Sequence, residues 1–263
     1  MFNSTVAWIT LRATISRRRA LLFAIPAAFL IITTLLLRAG KPPDRPWPTH
    51  VLGTFGFTVL LPLTALIIGT SVLGAEIDDG SIVHLLATPV RRLSVIITKY
   101  TVATGLTILF AAVPELIAAL ISGGGRTPDQ QIINQNGPPT FIPGHAISDG
   151  KFALGLFVGA VVGAVIYNAI FVMVSVATTR AIAVGLLYVL IWESLLSNFV
   201  SGARLLSVSH YSLGIANGIV NDPGLDASLT VATSVVMGVI VTVAALVLAV
   251  KLLTSFTLKG DPA

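Results

Sequence analysis

The chain has 263 residues, 55% of them hydrophobic and only 10% charged, with a mean hydropathy of +0.93. A soluble domain carries about 25% charged residues, so this composition excludes an ordinary water-soluble globule and points to lipid as the solvent. With no cysteine, neither disulfides nor thiolate metal sites can hold the fold, and the net charge of +5 sits beside apolar runs rather than among exposed aromatics, which argues against nucleic acid.

Ahead of the first apolar run, Phe2, Val6, Ile9, Ala13 and Ile15 recur at roughly helical spacing with Asn3, Ser4, Thr10, Arg12 and Arg17 between them. The pattern predicts an amphipathic helix within residues 1–19, lying in the membrane interface; a frayed tail is the alternative. Six windows then approach the length of about 20 residues needed to cross a bilayer. They are 20–37, 51–73, 101–121, 152–178, 181–200 and 229–253. The fourth and fifth are divided only by Thr178, Thr179 and Arg180. A single span of about 45 residues is too long, so a tight hairpin is expected there. Arg17, Arg18 and Arg19 precede the first window, but its apolar run exceeds that of a signal peptide, and it reads as a retained anchor.

With the N-terminus inside, ten lysines and arginines fall on the cytoplasmic side and six outside. The excess is concentrated beside the first window, so both termini are expected in the cytoplasm, with the chain multi-pass in the plasma membrane. Outside, residues 41–48 form a proline-rich turn and the extracytoplasmic loop 122–151 is rich in Gly, Pro, Asn and Gln, so neither can bury a core of its own, while the second extracytoplasmic loop, 197–228, has short apolar stretches broken by Gly202, Gly214, Gly218 and Pro223. The expected architecture is all-α, a six-helix bundle forming one transmembrane domain over 1–263.

The cytoplasmic loop 74–100 is chemically the most distinctive segment. Glu76, Asp78 and Asp79 place negative charge at the start of a short helix, and Asp79 or Ser81 is suited to cap it. Ile82, Leu85 and Leu86 follow as an i, i+3, i+4 stripe, Pro89 stops the helix, and Arg91 and Arg92 precede a new amphipathic run. The expected result is a capped helix over 81–88 set across the membrane surface.

This segment resembles the cytoplasmic loop of ABC-2-type transporter permeases, approximately E-x-x-x-G-[ST]-[LI]-x-x-L-L-x-x-P-[VI]-x-R followed by a lysine. Glu76, Gly80, Ser81, Ile82, Leu85, Leu86, Pro89, Val90, Arg92 and Lys99 occupy those places. The resemblance implies six spans, an interfacial N-terminal helix, a coupling helix on this loop and a re-entrant outer segment before the last span. It further implies an ATP-driven exporter, in which the loop couples to a separate ATP-binding cassette subunit present in two copies and the permease pairs with a second permease subunit, as a homodimer. ATP and magnesium are then expected on the partner, with no cofactor bound by this chain.

The sequence agrees with that division of labour. A phosphate-binding loop needs G-x-x-x-x-G-K-[ST], but Gly40-Lys41 and Gly150-Lys151 are followed by Pro42 and Phe152. No H-E-x-x-H or G-x-S-x-G occurs, so no catalytic or metal-ligating set is expected.

Within the spans, ionisable groups are costly, which singles out Glu115 and Glu193. At 1.5 Å per residue they lie about 21 Å and 18 Å from the cytoplasmic ends of their windows. Two roles fit: lining the exit of a substrate path together with Trp192, or bonding external loops at the outer interface. Tyr167 and Asn168 sit mid-span, suited either to such a path or to helix–helix hydrogen bonds. Gly155, Gly159 and Gly163 form one face for close helix approach, within the subunit or across a dimer. Rival readings are a non-transporting scaffold or sensor subunit, in which a docking helix has no purpose, and a secondary transporter, for which repeated halves with broken midplane helices are expected and not found.

Overall fold

The computed structural model describes residues 4–15, 17–40, 47–78, 92–123, 130–132, 140–142, 147–196, 201–225 and 227–255. Helix α1 (Ser4–Thr14) precedes α2 (Arg17–Ala39). A π-helical stretch Thr49–Leu60 then runs into α3 (Leu61–Asp78), and α4 (Arg92–Thr107) continues through a second π-helical stretch, Ile108–Ala112, into α5 (Val113–Ser122). After these come α6 (Asp149–Ala177), α7 (Ala181–Leu187) extended by a third π-helical stretch Tyr188–Leu196, α8 (Val208–Val220) and α9 (Val231–Ser255).

Two of the π-helical stretches have a local cause. Pro62 and Pro114 lack an amide hydrogen, and each ring presses on the carbonyl four residues back, at Thr58 and Phe110. Widening the preceding turn relieves that clash, and the bond from the Leu61 amide to the Gly56 carbonyl, like that from Val113 to Ile108, spans five residues. Helix α5 ends at Gly123, whose φ of +82° suits a residue without a side chain, and α8 ends at Asn221 in the same left-handed region.

Among the described residues, five helices are long and apolar enough to cross a membrane: 20–39, 49–74, 92–122, 149–177 and 231–255. Of the window expected over 181–200, the described residues give a shorter apolar helix, Ala181–Glu193, and residues 197–200 lie outside them. The expected break between the fourth and fifth windows is present, α6 ending at Ala177 and α7 starting at Ala181. One feature departs from an all-α reading: between α5 and α6, β1 (Gln130–Ile132) pairs antiparallel with β2 (Thr140–Ile142), Gln131 opposite Phe141. The expected helix over 81–88 lies outside the described residues.

Helix α6 is the centre of the bundle. Its Phe152, Leu156, Tyr167, Phe171 and Val172 are fully buried, and the core around them takes in Leu52, Phe57, Leu61 and Leu66 from the second span and Tyr211 and Val220 from α8. At the periphery, only 17% of the apolar window of α2 and of α9 is buried, against 56% for α6. Apolar surface left exposed on those two helices matches a hydrocarbon solvent.

Candidate functional site

The roots of loop 79–91 lie on α3 and α4, and an ion pair joins them. Lys99 Nζ sits 2.6 Å from Glu76 Oε1 and donates a second bond of 2.9 Å to the Val72 carbonyl. Lys99 is fully buried, while the side chain of Glu76 retains 28% exposure. A buried ammonium needs such partners, because desolvation without them costs several kcal/mol. Glu76 and Lys99, the two outermost residues of the loop motif, therefore close its base.

Arg92 makes the next connection. Its guanidinium donates to the Leu253 and Thr254 carbonyls, at 2.6 and 2.7 Å, capping the final turn of α9. The negative end of the helix dipole favours a cation there. One end of the loop is thus fastened to the last span. Asp79, Gly80, Ser81, Ile82, Leu85, Leu86, Pro89 and Arg91 lie outside the described residues, as does the side chain of Asp78.

At the opposite end of the bundle, Glu193 is fully buried at the end of the α7 helix. Its carboxylate accepts bonds from Tyr188 Oη at 3.0 Å, Ser207 Oγ at 2.6 Å, Ser209 Oγ at 2.8 Å, and the Val208 and Ser209 amides at 2.9 and 3.3 Å. Those amides open α8, so the glutamate supplies from another helix the cap that Ser207 does not give its own. Trp192 Nε1 donates to the Leu206 carbonyl at 3.1 Å and Tyr211 Oη donates to that of Leu205, tying down the segment that leads into α8. Tyr167 stacks on Phe171, which meets Tyr188 edge-on, so an aromatic row leads from α6 toward this cluster.

Glu115 occupies a different place. It stands in the first turn of α5, buried, with Oε1 lacking a hydrogen-bond partner among the described residues. The carboxylate packs against Gly56, where an added Cβ would approach within 2.7 Å of Oε1. Asn168 joins spans: its Nδ2 donates to Thr107 Oγ1 at 2.9 Å and to the Ala164 carbonyl at 2.8 Å. The glycine face of α6 lies against α8 within the chain, a Cβ at Gly155 meeting Val220 and Ala216, at Gly159 Ser212 and Ala216, and at Gly163 Leu61 and Ser212.

Several contributors had escaped the reading of the sequence. Ser207 directly before an apolar run is an N-cap signal, and Asn-Asp-Pro-Gly over 221–224 is a turn signal. In the latter, buried Asp222 accepts from Thr49 Oγ1 at 2.8 Å and from the Gly224 amide at 2.9 Å, linking the turn after α8 to the start of the second span. No group of three or more metal-ligating side chains occurs among the described residues.

A helical bundle with five membrane-length helices and polar residues bonded between spans defines a multi-pass membrane protein. Residues 15–135, a little under half of the chain, match the family model described as ABC-2 family transporter protein, and the match takes in the segment that holds the whole loop motif. No curated protein matches the chain.

Proposed function

We propose that the chain is the permease subunit of an ATP-driven exporter, with both termini in the cytoplasm and loop 79–91 docking on a separate ATP-binding subunit. The observation that carries this reading is the family match across 15–135, because it includes the loop whose spacing suggested coupling. The geometry is suited to force transmission. A load applied to the loop reaches α3 and α4 through the Glu76–Lys99 pair and α9 through Arg92. Two ATP-binding subunits closing on ATP would then press two permease chains at once, re-packing the spans around α6. The α1 helix lies along the cytoplasmic interface in this arrangement, and α8 is the re-entrant element. Glu193, Trp192 and Tyr167 hold the outer end together, whereas Glu115, with a carboxylate oxygen left for a ligand, is the best candidate for the path itself.

The test is affinity purification of the tagged chain from its own membranes. A co-purifying chain with a phosphate-binding loop, and magnesium-dependent ATP hydrolysis in the eluate, are expected. Recovery of the permease without any ATP-binding chain, under conditions that preserve its fold, contradicts the proposal.

A further inference from the structure

A cavity of about 780 Å³ opens where α2 begins, α3 nears its end and the chain turns from α6 into α7. Its wall is hydrocarbon: Leu22, Phe23, Ile67, Ile182 and Leu186. Thr70 and Ser71 also face it, but their hydroxyls donate to the Leu66 and Ile68 carbonyls of their own helix, at 2.6 and 2.8 Å, and so offer no proton to a ligand. The rim is different. Thr178, Thr179 and Arg180 form the turn, and Thr178 Oγ1 accepts from the Arg180 amide at 3.2 Å, which leaves its proton directed elsewhere. Among the described residues the lining holds one cation and no carboxylate, and the nearest described acid along α3, Glu76, is bound to Lys99. Ile182 and Leu22 are more than half exposed, so the hydrocarbon side is open laterally between α2 and α7.

A guanidinium beside two hydroxyl donors suits a tetrahedral oxyanion, and an apolar cleft open to the side suits an acyl chain. We infer that this cleft takes an anionic phospholipid, its phosphate headgroup on Arg180, Thr178 and Thr179 and its chain between α2 and α7. The opening lies at the same end as the loop roots, since Gly74 lines it. In the membrane that end meets the cytoplasmic leaflet. Treating the bound lipid, or a molecule built like it, as cargo rests on the permease reading; the binding itself does not.

The cysteine-free chain allows a direct measurement. A fluorophore on Leu186→Cys in the full-length protein is titrated with brominated phosphatidylglycerol and brominated phosphatidylcholine in reconstituted bilayers, without nucleotide or partner. The charged lipid should quench with about a five-fold preference, the effect of one basic side chain near a bilayer surface. Arg180→Gln should abolish the preference, Arg180→Lys should retain part of it, and Ile182→Trp, which fills the cleft, should weaken quenching by both lipids. A fluorophore on Val239→Cys, exposed on α9, should show none. Equal quenching by both lipids at Leu186, or a preference that survives Arg180→Gln, overturns the inference. A chain that binds the lipid but never recovers an ATP-binding partner would instead overturn the permease reading alone.

Discussion

Glu193 gathers hydrogen bonds from two serine hydroxyls, one tyrosine and two backbone amides, all with no solvent to replace them. Glutamine keeps one acceptor oxygen but turns an amide group toward donors that cannot receive it. Glu193→Gln should therefore lower stability by about 2 kcal/mol or more. Thermal unfolding in detergent reads this directly, and an unchanged midpoint would show that the cluster contributes nothing net. Assembly with the ATP-binding chain should survive, because the site lies at the far end of the bundle. The Lys99–Glu76 pair behaves differently, since removing one member strands a charge. Lys99→Met should cost about 3 kcal/mol, while Lys99→Met combined with Glu76→Met should recover most of it. Equal losses in the single and double variants would mean that the pair adds nothing at the loop base. Both acids in the spans were legible as exceptional from their sequence context alone. Their roles were not, because a window of residues does not reveal that Glu193 meets serines 14 to 16 positions away while Glu115 meets a glycine on another span.

At the scale of elements, the small-residue face of α6 decides how closely α8 can approach. A Cβ at Gly159 would stand 2.7 Å from the Ser212 carbonyl oxygen and 2.9 Å from the Ala216 Cβ, so Gly159→Leu must push the helices apart. Gly105 on α4 has nothing within 4 Å of the same construction. Gly105→Ala should be neutral or stabilise by about 0.5–1 kcal/mol through helix propensity, whereas Gly159→Leu should lose several kcal/mol or fail to fold. Comparable melting temperatures for the two variants would contradict the packing described. The glycine spacing was readable in the sequence, yet its occupant was not: α8 is interrupted by Gly214 and Gly218 and lacks the length of a span. Likewise, Pro62 and Pro114 were visible, but the π-helical turns ahead of them arise from backbone geometry that hydropathy does not record. Five of the six windows became membrane-length helices because a continuous apolar run in lipid has few other ways to satisfy its backbone.

For the whole molecule, the contacts sort into two ends. Arg92 with the end of α9 and Glu76 with Lys99 mark one; Arg38 donating to the Ile121 carbonyl and Thr49 bonding Asp222 mark the other. If the first end is cytoplasmic, a cysteine placed at Asn134 should be labelled by an impermeant reagent in intact cells, and one placed at Ser81 only after permeabilisation. The reverse pattern would invert the topology. The central claim is that the loop between α3 and α4 couples to an ATP-binding partner through Ile82, Leu85 and Leu86, with charged residues at its margins. Buried apolar anchors dominate interface energy, and rim charges chiefly orient. The most direct measurement compares Leu85→Asp with Arg91→Ala for co-purification of the ATP-binding chain and for cargo-stimulated ATP hydrolysis in membranes, after confirming that each permease unfolds at its normal temperature. Leu85→Asp should lose assembly or stimulation while Arg91→Ala keeps most of both; full assembly and normal stimulation with Leu85→Asp would contradict the account.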